Sequence, residues 1–211
     1  MKETIKFKEE RRAVAAFMRR LYRQGLTTTS GGNISLRVSG DRIVITPSAT
    51  DKGKMNWKEV GIMSFSGENL SPGLKPSIES EMHLSIFRAK EVKAIVHAHP
   101  VFATSFTAMK RVIDTKLTAE ACAILGDPVF VPYALMGTAD LASIVSEYII
   151  RSDILLLENH GILAVGSDLL QAFDRIEVLE NAAKMTVITE LMGKKRSLTP
   201  GRISEIQKLF R

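Results

Sequence analysis

The chain has few cysteines, few aromatic residues and no long apolar run. Its single cysteine, Cys122, cannot form an intramolecular disulfide, so we expect a reducing compartment, the cytoplasm. No run reaches the ~18 apolar residues of a membrane helix. The charged start, residues 1–6, lacks the apolar core of a signal peptide. The sequence therefore predicts neither a membrane protein nor an exported one.

Extremes of composition are also missing. With 45% hydrophobic and 25% charged residues, the 211-residue chain is typical of a soluble globular protein, and we expect residues 1–211 to form a single domain. The 29 Lys and Arg against 23 Asp and Glu give a net charge of +6, which suits either nucleic acid or a phosphorylated small molecule. The basic residues are scattered, without zinc-finger cysteines or a basic–aromatic RNA motif. A nucleic-acid partner is therefore not expected.

Apolar periodicity predicts alternating helices and strands. Helical spacing covers residues 8–24, a segment opening at Ser77, and residues 102–109, 119–125, 138–150 and 169–191. Strand patterns cover residues 34–38, 43–45, 60–64, 94–99, 129–131, 154–157 and 162–165, with two hairpins early in the chain. This interleaving predicts an α/β fold with a mixed or antiparallel sheet and helices on its faces.

The chain has only four histidines, and their spacing is informative. His97 and His99 lie two apart on a predicted strand, so both side chains leave the same face. His160, in a turn between two predicted strands, is the candidate for a third ligand of a zinc ion with an open coordination position. The alternative is that these are buried, hydrogen-bonded histidines. For His83, one helical turn from Glu79, a helix-face contact is expected.

Glu79 and two loops are the other candidate functional features. Glu79 is predicted in the first turn of a helix, where the dipole favours its charge, but a carboxylate beside a metal can also move protons. Residues 31–33 and 46–49 offer unobstructed backbone amides and hydroxyls that suit phosphate. Taken alone, each segment is more simply interpreted as an ordinary glycine or proline turn.

Taken in order, these motifs resemble the class II aldolase/adducin family, specifically its L-fuculose-1-phosphate aldolase-like members. The resemblance extends over about residues 10–192. The matching segments are residues 30–35, 45–48, 75–79, 97–100, 132–133, 137–138, 158–161 and 175–180.

The resemblance implies a three-layer α-β-α fold with a central mixed, largely antiparallel sheet. It also implies a zinc-dependent aldolase that cleaves a ketose 1-phosphate, such as L-fuculose 1-phosphate, to dihydroxyacetone phosphate and an aldehyde through a metal-stabilised enediolate. A cyclic homotetramer with active sites between subunits is expected. The residues implied are His97, His99 and His160 for zinc, Glu79 as acid/base with a pKa raised by burial, and Gly32, Asn33, Ser48, Ala49, Ser77 and Ile78 around the substrate phosphate.

Four positions depart from the fuculose-phosphate pattern. Ala49 stands where glycine is usual, and Ile78 replaces a serine. Thr118 occupies the place of a tyrosine acid, and the tail has Phe210 but no tyrosine. The sequence therefore does not identify the proton donor to the aldehyde fragment, for which Glu120 and a bound water are candidates.

Other functions remain open at this point. Related enzymes of the family are pentulose-phosphate 4-epimerases, which usually have aspartate in place of Glu79, and dehydratases and decarboxylases of sugar phosphates. An adducin-like scaffolding module has no reason to keep three histidines and Glu79 together. A zinc hydrolase also fits the histidines, but a phosphate site around Gly32 and Asn33 would count against it.

Overall fold

A single seven-stranded sheet forms the middle layer of the protein, which a computed structural model describes over residues 6–193 and 195–209. Its strands are β1 (Asn33–Arg37), β2 (Arg42–Ile45), β3 (Gly61–Ser64), β4 (Ala94–Ala98), β5 (Val129–Val131), β6 (Ile154–Leu157) and β7 (Gly161–Gly166). They lie in the order β3-β2-β1-β4-β7-β6-β5. Every neighbouring pair is antiparallel except β5 and β6. The predicted mixed, largely antiparallel sheet is confirmed.

Helices cover both faces of this sheet. They are α1 (Lys8–Arg23), α2 (Ser80–Ala89), α3 (Val101–Met109), α4 (Ala119–Leu125), α5 (Ala139–Tyr148), α6 (Leu169–Leu191) and α7 (Pro200–Leu209), with a short 3₁₀ helix at Trp57–Glu59. One hydrophobic core joins the sheet to α1, α3, α4 and α6, and a second joins it to α2 and α5. The fold therefore has the three layers that the resemblance implied.

Alternation along β4 decides which layer each side chain meets. Ala94, Val96 and Ala98 belong to the core beneath α1, α3 and α6, whereas Ile95 belongs to the core beneath α2 and α5. Successive side chains of a strand point to opposite faces. His97 therefore points, like Ile95, toward the layer that contains α2. β6 and β7 are buried along their whole length because helices cover both of their faces.

Three local predictions differ from the structure. Helix α2 begins at Ser80 instead of Ser77, because the Ser77 hydroxyl accepts the amide of Glu79 at 3.3 Å and forms a turn before the helix. The second predicted hairpin is reduced to β3 and one isolated bridge, Met63 to Asn69. Helix α7 was not predicted, and Phe210 lies outside the described residues.

Cys122 is buried in α4 as a free thiol. Among the helices of the described residues, none combines the length and the apolar character that crossing a bilayer requires.

Candidate active site

A cavity of about 460 Å³ opens where β1 begins and β4 ends. It joins the two loops that were singled out in the sequence, which we call the glycine loop (residues 31–33) and the proline loop (residues 46–49), to the start of α2 and to the histidines. Its lining includes Gly32, Asn33, Ser48, Ala49, Ser77, Ile78, Glu79, His99 and His160.

Pairing of β4 with β7 brings the three candidate metal ligands together. His97 lies near the end of β4, and His99 follows one residue after that strand ends at Ala98. His160 is in the turn between β6 and β7. Each ring offers one nitrogen to a cluster whose members all lie within 4.8 Å of one another. The imidazole of His160 thus converges with those of His97 and His99, which lie 63 and 61 residues before it in the chain.

A glycine next to His160 permits this convergence. A Cβ on Gly161 would lie 2.8 Å from the carbonyl oxygen of Ala98 and would also overlap the ring of His99. Real Cβ atoms do not approach a backbone oxygen so closely. Asn159, in the same turn, adopts a left-handed conformation with φ 52°, which asparagine tolerates better than most residues. The sequence of this turn therefore fits the packing that it must make.

Hydrogen bonding fixes the tautomer of His97. Its Nδ1 lies 2.9 Å from the carbonyl oxygen of Ile162, which can only accept, so Nδ1 carries the proton. Burial lowers the pKa of His97 to about 3, so the ring is neutral and Nε2 presents a lone pair. That nitrogen lies 3.2 Å from His99 Nε2 and 3.4 Å from Glu79 Oε2.

The cluster therefore contains more acceptors than donors. Glu79 Oε1 lies 3.1 Å from His160 Nε2 but makes no hydrogen bond within the described residues, and His160 Nδ1 is also buried without a partner there. Carboxylate oxygens and imidazole lone pairs in such proximity repel one another unless a proton or a cation lies between them. His97, His99 and His160 fit a divalent ion, and three neutral imidazoles with an open position are typical of catalytic zinc.

The ionisation of Glu79 differs from what was predicted. Burial disfavours the carboxylate, but His97, His160 and the amide of Asn33 outweigh burial and lower the pKa of Glu79 below its usual value. The expected rise is therefore wrong in direction. The prediction took only burial into account. The fold also supplies a hydrogen bond of 2.7 Å from Asn33 Nδ2 to Glu79 Oε2, which favours the ionised form.

Asn33 is itself held by His83. The Nε2 atom of His83 lies 2.5 Å from Asn33 Oδ1, and its Nδ1 lies 2.6 Å from Ser35 Oγ. An amide oxygen only accepts, so His83 donates from Nε2 and accepts at Nδ1. Burial lowers the pKa of His83 to about 4, in agreement with this neutral form. Donors and acceptors thus alternate from Ser35 to Glu79.

This arrangement corrects the interpretation of His83 as a helix-face contact of Glu79. Its ring is fully buried and reaches Glu79 only through Asn33. The available signal was a polar residue on the apolar face of a helix, four positions after a candidate acid. Its partner in β1 could not be inferred from that spacing.

Several donors expected to bind phosphate are already used within the chain. The amide of Ser48 donates to Lys75 O at 3.2 Å, and the amide of Ile78 donates to Ser48 Oγ at 2.9 Å. The side chain of Asn33 is directed to Glu79 and Ser77. Within residues 6–193 and 195–209, the amides of Gly32 and Ala49 have no hydrogen-bond partner. These amides and the serine hydroxyls are the donors open to a ligand.

Neither Thr118, at the place of the expected tyrosine acid, nor Glu120, a candidate for the missing proton donor, lines the cavity within one chain. Thr118 caps α4, its hydroxyl accepting the amide of Ala121 at 3.1 Å, which gives it a structural role. Glu120 is exposed in the first turn of α4, outside the lining of the cavity.

The fold and site can now be compared with known proteins. The family model described as Class II Aldolase and Adducin N-terminal domain matches residues 12–187. The chain belongs to this family. It is 37% identical over 169 residues to an L-fuculose phosphate aldolase of Methanococcus maripaludis (strain C7), covering 80% of this chain and 91% of that protein.

Members with other activities are also similar to this class II aldolase-family chain. A 3-oxo-tetronate 4-phosphate decarboxylase of Haemophilus influenzae is 31% identical over 195 residues, covering 90% of this chain and 91% of that protein. A solved structure of an L-fuculose 1-phosphate aldolase superposes with a TM-score of 0.88 at 27% identity and covers 96% of each chain. The chain therefore belongs to a family whose similar members catalyse different reactions.

Proposed function

We propose that the chain is a zinc-dependent aldolase that cleaves a ketose 1-phosphate, L-fuculose 1-phosphate or a related sugar phosphate, to dihydroxyacetone phosphate and an aldehyde. One observation carries the proposal. The carboxylate of Glu79 lies 3.1 and 3.4 Å from ring nitrogens of His160 and His97, in a cavity that the glycine and proline loops also line. The similarity to L-fuculose phosphate aldolases supports it.

The three histidines would hold the metal ion of this enzyme. When bound, Zn²⁺ supplies a Lewis acid for the negative charge that carbon–carbon cleavage leaves on the ketone and hydroxyl oxygens of the enediolate. His97 is prepared for binding, since its proton is on Nδ1, facing Ile162 O, and Nε2 presents its lone pair to the other members of the cluster. Neutral ligands leave the full charge of the ion available, which suits catalysis better than a thiolate-rich site.

Glu79 would exchange the proton at the carbon that is cleaved. Its lowered pKa keeps it ionised, as is required to remove that proton in the condensation direction. In the cleavage direction the carboxylate first receives the proton that the hydroxyl of the aldehyde fragment loses, and the same oxygen then delivers it to the released carbon. Asn33 holds Oε2 at 2.7 Å, so the free oxygen Oε1 is the atom available for proton transfer.

The glycine loop and the proline loop would hold the substrate phosphate. The amides of Gly32 and Ala49 and the hydroxyls of Ser48 and Ser77 are the neutral donors for it. Fixing the distant phosphate orients the reacting carbons against Glu79, which reduces the entropic cost of reaching the transition state.

We also propose a homotetramer with active sites between subunits. Three apolar side chains near the mouth of the cavity are more than half exposed: Ile78, Leu135 and Met136. Such a patch favours coverage by another protein surface. Sedimentation equilibrium of the purified chain tests this, and a monomer at micromolar concentration would contradict it.

A screen of candidate substrates tests the proposed reaction. Ketose 1-phosphates and 5-phosphates are offered to zinc-loaded protein, and dihydroxyacetone phosphate is detected by a coupled reduction. We expect its release from one or more ketose 1-phosphates. If none is cleaved by protein that holds its metal, the aldolase assignment is wrong.

Decarboxylation of a sugar-acid phosphate is the second candidate, favoured by the similarity to the Haemophilus influenzae protein over 90% of this chain. It uses the same features, because loss of CO₂ beside a ketone leaves an enolate that a metal ion also stabilises. Both reactions can release dihydroxyacetone phosphate, so they are distinguished by the second product, an aldehyde or CO₂. Release of CO₂ from 3-oxo-tetronate 4-phosphate, with no aldehyde formed from any ketose 1-phosphate, would identify the decarboxylase.

A further inference from the structure

Lys52 is a buried lysine in the wall of the cavity. Its side chain is 1% exposed, and its Nζ donates to Pro47 O at 2.5 Å and to Thr50 Oγ1 at 3.4 Å. Its backbone amide donates to Thr29 O at 2.9 Å. Lys52 therefore connects the proline loop to the segment that leads into the glycine loop.

The ammonium group of Lys52 has no counter-ion within the described chain. Both of its acceptors are neutral oxygens, and no carboxylate of residues 6–193 and 195–209 forms an ion pair with it. Burial lowers the pKa of Lys52 to about 8, and the more distant charge of Glu59 opposes this only in part. A buried charge without a partner is costly. One of its three N–H donors also lacks an acceptor in the described part of the chain.

A phosphate group would supply what this ammonium lacks. A phosphate monoester carries about −1.5 to −2 charges at pH 7. The amides and hydroxyls of the two loops can fix its position, but they are neutral. The other cation in the cavity wall is Lys75, which is exposed and partly screened by solvent. Hydrogen bonds between charged groups are roughly twice as strong as neutral ones.

We propose that Lys52 balances the charge of the substrate phosphate and makes the cavity selective for phosphorylated over neutral sugars. The inference rests on the proposed function, since it concerns the phosphate of that substrate. It assigns Lys52 to binding and not to chemistry, because its Nζ donates to Pro47 and Thr50 and not to Glu79 or the histidines. The neutral loops determine where the phosphate sits, and Lys52 determines whether a dianion is preferred there.

Two substitutions separate the charge of Lys52 from its hydrogen bonds. Lys52→Gln retains N–H donors on a side chain one bond shorter, and Lys52→Met removes both donors and charge. Lys54→Gln is the matched control, because Lys54 lies two residues away and is exposed. Each zinc-loaded variant is titrated with inorganic phosphate by calorimetry. KM and kcat are measured for one ketose 1-phosphate and for the same sugar without phosphate.

We expect both Lys52 variants to bind phosphate at least about 10-fold more weakly than the wild type, with Lys54→Gln unchanged. KM for the phosphorylated ketose should rise by a similar factor while kcat changes little. KM for the unphosphorylated sugar should stay the same. If Lys52→Gln binds phosphate like the wild type, or if the wild type binds none, the proposal is wrong.

The outcomes also separate this proposal from the proposed function. Lys52-dependent phosphate binding without cleavage of any ketose phosphate would refute the aldolase and leave the anion site intact. Normal cleavage with an unchanged KM in Lys52→Gln would refute the role of Lys52 alone.

Discussion

The cavity has two differently built parts, which we call the histidine end and, because we propose that phosphate binds there, the phosphate end. At the histidine end, side chains from β4, from the turn before β7 and from the start of α2 provide the chemistry, and the sheet fixes their distances. At the phosphate end, loop backbone provides most of the donors, and Ala49 adopts a left-handed φ of 53°. Side-chain identity therefore determines which groups the histidine end offers to a ligand. Backbone conformation and one buried charge determine which groups the phosphate end offers.

This difference predicts how each end responds to substitution. Truncating a side chain at the histidine end removes a ligand or an acid that nothing replaces. Most truncations at the phosphate end leave the backbone amides in place. Effects on activity should accordingly decrease from the histidines to the loops, with Lys52 as the exception.

The largest effect is expected for His97→Ala. It removes a buried ligand whose orientation Ile162 fixes, so zinc should fall from about one ion per chain to near zero and activity should be lost. Elemental analysis of dialysed protein measures the metal. A chelator should abolish wild-type activity and added Zn²⁺ should restore it. If the variant retains both zinc and turnover, His97 is not a ligand of a catalytic metal ion.

Glu79→Gln should leave zinc bound but lower kcat by about 10³-fold, because the amide cannot exchange the proton. The control is Glu81→Gln, an exposed carboxylate two residues further that pairs with Arg88 on the surface. Its activity should stay within about 2-fold of the wild type. Steady-state kinetics and metal analysis of both variants measure kcat and the zinc content of each. Equal turnover in both variants would exclude Glu79 as the acid/base.

Substitutions of His83 test whether it positions Glu79 through Asn33. In His83→Gln the amide nitrogen replaces Nε2, while His83→Asn carries its amide near Nδ1 and should lose the bond to Asn33. We expect His83→Asn to lower kcat roughly 10- to 100-fold with KM and zinc unchanged, and His83→Gln to be more active. If the two variants have the same kcat and differ only in stability, His83 has a structural role.

The smallest effect is expected for Ala49→Gly. Relief of the left-handed strain should raise the free energy of unfolding by up to about 1 kcal/mol, with little change in KM. Gly40→Ala is the reverse control, since Gly40 has φ 70° and open space around it. It should lower stability by a similar amount. Denaturant titration measures the free energy of unfolding of both variants. A lower value for Ala49→Gly than for the wild type would show that Ala49 is not strained.

Much of the fold was predictable because burial leaves a periodic pattern in the sequence. The helix predicted over residues 169–191 has those bounds, and the apolar runs of β6 and β7 indicated strands covered on both faces. Helix α7 was missed because it buries no residue and so carries little pattern. The start of α2 was misplaced because the Ser77 hydroxyl bonds within its own turn.

The sequence by itself determined which chemical groups the site contains and which motifs relate it to other proteins, since side-chain types and short spacings are local properties. Only the tertiary structure decided the ionisation of Glu79, the role of His83 and the isolation of the Lys52 charge. Each of these depends on distances between segments far apart in the chain. Strand pairing and layer packing set those distances, and neither leaves a local pattern in the sequence.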